Sequence, residues 1–407
     1  MRRVVVTGAG MICALGHNTS EAWNAVCAGR SGIGRIDSVD VSQLRFHNGA
    51  QVRDYDSRKH FEPNREDLLD PFAQYAIIAA REALRDSGIQ LTPAIREKTA
   101  IVTGSCLGGQ STQDAQFIEL YRRDQGRVHP LTIPRTMANA AASQIAMEFG
   151  TLGPAYTIST ACSSANHAIG QAFWMVREGI ADLAIAGGSE APFSLGLLKA
   201  WEALRVVSPD TCRPFSKDRR GLILGEGGAM LILEPLEIAK ARGATIYAEI
   251  VGFGMSSDAH HITQPSIEGP VRAMSAALRD AGLAPEQIGY INAHGTGTPT
   301  NDPIETRAIR KLFGPHANRL AVSSTKSLHG HALGAAGALE AVCTVLALLK
   351  GLLPPTVNFT AQDPECDLDV VPNFARPAQI ECALSNSFAF GGLNAVLAFR
   401  AHTNGPY

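Results

Sequence analysis

Twice along the chain the same order of elements begins. In the first pass a β-branched run at 2–8 (RRVVVTG) ends in glycine, and helical patterns follow at 20–27, with Ser20 as the expected N-cap, and at 70–87. Buried-strand patterns recur at 99–104, at 181–188 (ADLAIAGG) and at 228–234, with a helix expected over 138–149. The second pass opens with a strand at 245–254 and a helix over 269–281. A strand at 288–293 (IGYINA), a helix over 302–312, a strand at 319–323 and a long Ala/Leu helix over 331–349 come next. Runs at 381–388 and 394–399 close it as an antiparallel pair around Gly391-Gly392. Such alternation demands sheets covered by helices, because each apolar sheet face must be buried under another layer. The order of elements, rather than residue identity, predicts an α/β fold made of a duplicated unit. The halves meet near 241–244, which sets expected domains of 1–242 and 243–407. No charged or Pro/Ser-rich linker parts them, so one shared body is expected.

Charge narrows the function classes. With 36 basic against 38 acidic residues the net charge is -2, which offers neither a nucleic-acid face nor a membrane-attracted surface. The longest apolar stretches, such as 338–349, fall short of a bilayer span, and residues 1–3 run straight into a strand with no signal-peptide pattern. Eight cysteines show no Cys-x-x-Cys pair and no short-range framework, so free thiols in a reducing cytoplasm are expected.

One of those thiols has an unusual setting. In YTISTACSSANHAIGQAF (156–173) a β-rich run breaks off at Ala161-Cys162 and an apolar helix follows. Most free cysteines are core filler. A sulfur at a helix N-terminus, however, meets unpaired N–H groups and the positive end of the dipole, which favour a thiolate. Ala161 and Ala165 leave room beside it for a reacting carbonyl, as in a nucleophile elbow. Two histidines also stand at the ends of expected strands. His294, in NAHGTGTPTND, is either a plain loop residue or part of a polar ligand site with Thr296 and Thr298. His331, in TKSLHGHALGAAGALE, has Lys326 before it and Glu340 after it, either as a surface pair or as a buried pair that fixes a histidine. Open α/β sheets place sites at the C-terminal ends of their strands, where all three groups lie. In NSFAFGGLNAV, Phe388 and Phe390 either fill a hairpin core or act beside the Gly391-Gly392 pair as a mobile gate. No two candidate ligands share a helix face at metal-binding spacing, so no metal is expected.

Together, STACSSA around Cys162, NAHGTGTPTND, TKSLHGHALGAAG and NSFAFGG resemble the β-ketoacyl-[acyl-carrier-protein] synthases, more narrowly the elongating synthases I and II. The resemblance spans essentially the whole chain and implies a duplicated thiolase-like fold in five layers, αβαβα, usually as a homodimer. It implies that Cys162 takes an acyl chain from acyl carrier protein as a thioester, while His294 and His331 stabilise the malonyl thioester as it loses CO₂. It assigns Lys326 to the support of His331, with Glu340 as its ionic partner, and the N–H groups of Cys162 and Phe390 to an oxyanion hole. Thr296 and Thr298 would meet the phosphopantetheine arm, which arrives on the carrier, so no cofactor is implied. Phe388 and Phe390 would line the substrate passage, Phe390 as its gate, and Leu107 would limit acyl length.

Cys106, Arg220, His329, Ala389 and Leu393 depart from the common family pattern, several of them near the acyl pocket. Fatty-acid elongation is the first expectation, and a specialised or polyketide-type ketosynthase with a restricted acyl substrate is the second. A non-catalytic chain-length subunit would lack Cys162. A thiolase would need a late cysteine on a glycine loop, whereas Cys382 sits in a strand pattern, and an initiating synthase would carry Asn for one histidine. The glycines of VTGAGMICALG cover only part of a nicotinamide-binding fingerprint.

Overall fold

Among the residues described by this computed structural model, 1–123 and 126–402, ten strands form one continuous sheet. The first five are β1 (Val4–Cys13), β2 (Thr99–Gly104), β3 (Ala155–Ile158), β4 (Leu183–Glu190) and β5 (Gly227–Pro235). They lie in the order β1-β5-β4-β2-β3. The second five are β6 (Ala248–Ser257), β7 (Ile288–Asn292), β8 (Ala321–Ser323), β9 (Cys382–Ala389) and β10 (Leu393–Ala401). Their order is β6-β10-β9-β7-β8, the same path as the first half. Pairing directions repeat as well: β2 runs parallel to β3 and β4, and β7 runs parallel to β8 and β9. The halves join antiparallel where Val4, Val5 and Val6 face Ile250, Glu249 and Ala248.

Helices complete the layers. On one outside face α1 (Pro71–Ser87) covers β1, β5 and β4, beside α2 (Ala140–Phe149). In the middle, α3 (Ser164–Arg177) packs against the strands of both halves. On the far face α5 (Glu268–Ala281) covers β6 and β10 and carries α6 (Asn301–Phe313) against it, while α4 (Leu195–Leu204) follows β4 in the first half. The second central helix, α7 (Ala336–Lys350), touches α3 and strands from both halves. The result is αβαβα.

Local chemistry explains these elements. Asp70 caps α1 by accepting the Phe72 N–H, Pro71 starts it, and Gly88 ends it at a φ of 67°. Its inner face (Phe72, Ala76, Ile77, Ala80, Ala83) is buried on β1, where a Cβ on Gly10 would stand 2.0 Å from the Ala79 carbonyl oxygen. Only glycine permits that approach.

Several features differ from the sequence reading. β1 continues past Gly8 to Cys13, because its glycines serve helix packing rather than a turn. The helix that precedes α1, Thr19–Cys27, is capped by the Asn18 side chain on the Glu21 N–H, not by Ser20. The helix expected from His331 starts only at Ala336, after a 3₁₀ turn at Leu333–Ala335. The apolar segment Leu333–Lys350 does reach the length and composition of a span, yet 89% of it is buried inside the protein as the core helix.

Candidate active site

β3 stops at Ile158, and Cys162 occupies the turn that leads into α3. Ala161 holds a left-handed φ of 50°, which for a residue with a Cβ costs on the order of 1 kcal/mol. The neighbouring hydroxyls supply the bonds that such a turn lacks. Ser163 Oγ donates to the Thr160 carbonyl (2.8 Å), and Ser164 Oγ donates to the Ala161 carbonyl (2.6 Å) while accepting the Thr160 N–H (2.9 Å). The small, hydroxyl-rich sequence thus builds a rigid elbow.

The thiol itself is buried, and that burial pushes it up to about 11. The Lys326 charge and the backbone N–H groups of Phe390 and of Cys162 itself pull the other way without winning. The thiolate expected from the helix N-terminus is therefore corrected: burial outweighs the Lys326 charge and the two N–H groups, and the resting group is a thiol. Its alkylation by iodoacetamide should climb about tenfold per pH unit from neutrality and level off only near 11, since each unit below the pKa removes nine-tenths of the thiolate. Mass-resolved labelling at a series of pH values checks this, and a plateau by pH 8 would contradict it.

His294 directly follows β7 in a turn pinned from α6. Glu305 accepts the N–H groups of His294 and Gly295, both at 2.8 Å, and Asp302 accepts those of Gly297 (3.2 Å) and Phe215 (2.8 Å). Gly295 has a φ of 35°, and a Cβ there would meet Ser324 Cβ at 2.6 Å. Sequence reasoning overlooked both carboxylates. Their signal was the spacing of three in NDPIE, directly after the glycine–threonine turn.

Lys326 and Glu340 form a fully buried ion pair, which excludes the surface alternative. Lys326 Nζ also donates to His294 Nδ1 (3.3 Å) and to the His294 carbonyl (2.7 Å). The direct partner of Lys326 is His294, a correction to the expected support of His331, which feels Lys326 only through its charge. His331 Nδ1 instead accepts the Leu333 N–H at 3.1 Å. In both rings Nδ1 is thus an acceptor, so the proton sits on Nε2. Burial first, and the Lys326 charge second, hold both imidazoles well below their ordinary pKa, so both are neutral. Their centroids are 5.4 Å apart at 85°.

Cys162, His294 and His331 line one cavity together with Thr296, Thr298, Phe388 and Phe390. The two threonine hydroxyls are 2.9 Å apart, and the Phe388 ring lies 6.1 Å from that of His294. Leu107 does not line this cavity. It packs with Cys106 and Phe390 against an apolar cluster that includes Leu198, Leu222 and Leu333. A third overlooked carboxylate holds this region. Buried Glu190 accepts the Ser105 hydroxyl (2.8 Å) and the N–H groups of Cys106 (2.8 Å), Leu107 (3.2 Å) and Gly334 (3.0 Å). It ties the Leu107 loop to the segment that follows His331. A thiol facing two converging backbone N–H groups, beside two neutral Nε2–H donors, is equipped for acyl transfer and for stabilising an enolate.

Residues 1–239 match the family model for the N-terminal domain of β-ketoacyl synthases, and residues 247–360 match the model for their C-terminal domain. The chain belongs to the β-ketoacyl synthase family. Its doubled strand order in five layers is the duplicated thiolase-like fold of these condensing enzymes. This β-ketoacyl synthase is 47% identical over 401 residues to Nodulation protein E of Rhizobium sp. (strain N33), covering 98% of this chain and 99% of the relative. It is 44% identical over 404 residues to 3-oxoacyl-[acyl-carrier-protein] synthase 2 of Coxiella burnetii (strain RSA 493 / Nine Mile phase I), with 97% and 98% covered. Among solved structures, the ishigamide ketosynthase/chain length factor superposes with a TM-score of 0.93 at 37% identity, over 99% of this chain and 100% of that one.

Proposed function

We propose that this synthase is a specialised ketosynthase: it condenses malonyl-acyl carrier protein with an acyl chain held on Cys162, with loss of CO₂, and accepts a restricted set of acyl chains. The observation that carries the reaction is the pair of buried neutral imidazoles with their protons on Nε2. In the first step the Cys162 sulfur attacks the incoming thioester, the carbon–sulfur bond to the phosphopantetheine arm breaks, and the arm leaves with the proton. In the second, the malonyl carboxylate leaves as CO₂ and its bonding pair becomes an enolate, whose oxygen accepts the Nε2–H bonds of His294 and His331. The enolate carbon then attacks the acyl carbonyl. The resulting oxyanion is met by the N–H groups of Cys162 and Phe390, the Cys162 sulfur departs and takes up a proton, and 3-oxoacyl product remains on the carrier. Thr296 and Thr298, which line the same cavity, offer hydroxyls to the arm.

General fatty-acid elongation, the first expectation from sequence, becomes the second reading. A restricted substrate is supported by a relative named as a nodulation protein and by a neighbour named as a ketosynthase with a chain length factor. Side chains around the gate support it too. Ala389, in extended backbone at a φ of −105°, adds a Cβ beside Phe390, and Cys106 fills space beside Leu107. Acyl carrier protein is the proposed partner and a dimer of this chain the proposed assembly, in line with the Coxiella relative's name and the neighbour's two-component title.

Measuring kcat/KM over acyl carrier protein thioesters of increasing length tests this reading. The expected profile is one narrow optimum, and a flat profile over saturated chains would restore general elongation. Leu107→Ala should shift that optimum toward longer chains in a graded way, because a methylene in an apolar pocket discriminates by only about 1–3 kcal/mol. An unchanged profile would return Leu107 to the role of a core residue.

A further inference from the structure

Trp201 was not singled out by the sequence, yet it lines the cavity with only 9% of its surface exposed. Its indole stacks on the Phe390 ring, with centroids 6.2 Å apart and an interplanar angle of 24°. The two rings differ in what holds them. Trp201 rides on α4, whose Leu198 is fully buried and whose Lys199 and Glu202 bind the Gln43 carbonyl and the Arg45 N–H. Phe390 is followed by Gly391 at a φ of 82° and Gly392 at 68°, a pair with no Cβ to restrict rotation. One ring belongs to a fixed wall and the other to a hinge. Phe390 borders both the apolar cluster against which Leu107 packs and the cavity that holds His294 and His331.

We propose that Trp201 is the positioning residue that holds Phe390 shut across the passage to the acyl pocket, so that an acyl chain enters only when the Trp201–Phe390 stack is broken. This rests on the reading of Phe390 as the gate. An offset aromatic pair of this kind biases a two-state equilibrium about 2- to 10-fold toward the stacked form. That bias is large enough to set the acylation rate and small enough to be overcome by burying a few methylenes. Decarboxylation of malonyl thioester takes place in front of the gate and does not require it to open.

Trp201→Ala and Trp201→Phe, compared with wild type, test the proposal in three readouts. The first two are the rate of acyl loading on Cys162, followed by intact mass, and the rate of CO₂ release from malonyl-acyl carrier protein. Trp201→Ala should raise the ratio of loading to CO₂ release about 2- to 10-fold, and Trp201→Phe, which keeps a ring, should fall between. The third readout is tryptophan emission. The chain has 3 tryptophans, and acylation should change the emission of wild type but not that of Trp201→Phe. Equal ratios in all three proteins would overturn the proposal, and so would an emission change that persists in Trp201→Phe. Should Trp201→Ala not fold, the phenylalanine variant and the emission signal still decide. Failure of wild type to load any acyl group on Cys162 would instead overturn the functional reading on which this one stands.

Discussion

Cys162→Ala is expected to take up no acyl group and to lose condensation by at least on the order of 10³-fold. Cys162 is the one thiol among the residues lining the cavity with His294 and His331. Cys106 is pushed well above its ordinary pKa by burial and by the nearby Glu190 charge, and Cys382 lies inside β9, paired with Ile288 and Arg400. The substitution removes one sulfur and leaves the elbow's hydroxyl bonds in place, so the melting temperature should change little. Malonyl decarboxylation should persist at a measurable rate, since its donors are the histidines. Intact mass after incubation with acyl carrier protein thioesters is the check, with peptide mapping to place any adduct. An acyl group on Cys106 or Cys382 would refute the assignment.

His294→Ala and His331→Ala should each cost decarboxylation about 10²- to 10³-fold, the usual loss when one donor to a developing oxyanion is removed. Loading of Cys162 should survive in both. Lys326→Ala should resemble His294→Ala, because Lys326 donates to His294 Nδ1 and fixes its tautomer. It should also lower the melting temperature, since it leaves Glu340 buried without its cation, a loss of about 3–5 kcal/mol. The pH dependence has a definite sign. A histidine whose pKa is depressed gains its proton only at lower pH than an exposed one, so CO₂ release should continue below pH 6.5 rather than fall through it. Rates of CO₂ release measure all of this, and normal decarboxylation in both histidine variants would end the mechanism.

Elements were legible in the sequence where a local pattern and the tertiary fold agree. The helix at 70–87 carries its own cap, proline and glycine, and it appears within one residue of where the pattern puts it. Cys162, His294 and His331 were legible because each follows an apolar run at a strand-to-helix junction. What escaped was set by contacts distant in sequence. Glu190, Asp302 and Glu305 look like ordinary strand-end or first-turn charges until the backbone N–H groups they collect come together from three segments. Sequence proximity points Lys326 at His331, five positions away, whereas its partner His294 arrives from another strand. The Cys162 thiolate failed because dipoles can be read from a helix start whereas burial cannot. Trp201 looked like one more apolar helix residue.

The repeated strand order has a consequence of its own. Cys162 follows β3, and Lys326 and His331 follow β8, the strand at the matching place in the other half. Likewise Leu107 follows β2 and His294 follows its counterpart β7. Two identical halves, assembled face to face, could only set like against like at these places: a thiol opposite a thiol, or a histidine opposite a histidine. Joining both copies in one polypeptide keeps the geometry of a symmetric pair while freeing each matched position to carry different chemistry. Electrophile capture could then settle in one copy and carbanion generation in the other, around one cavity and under separate selection.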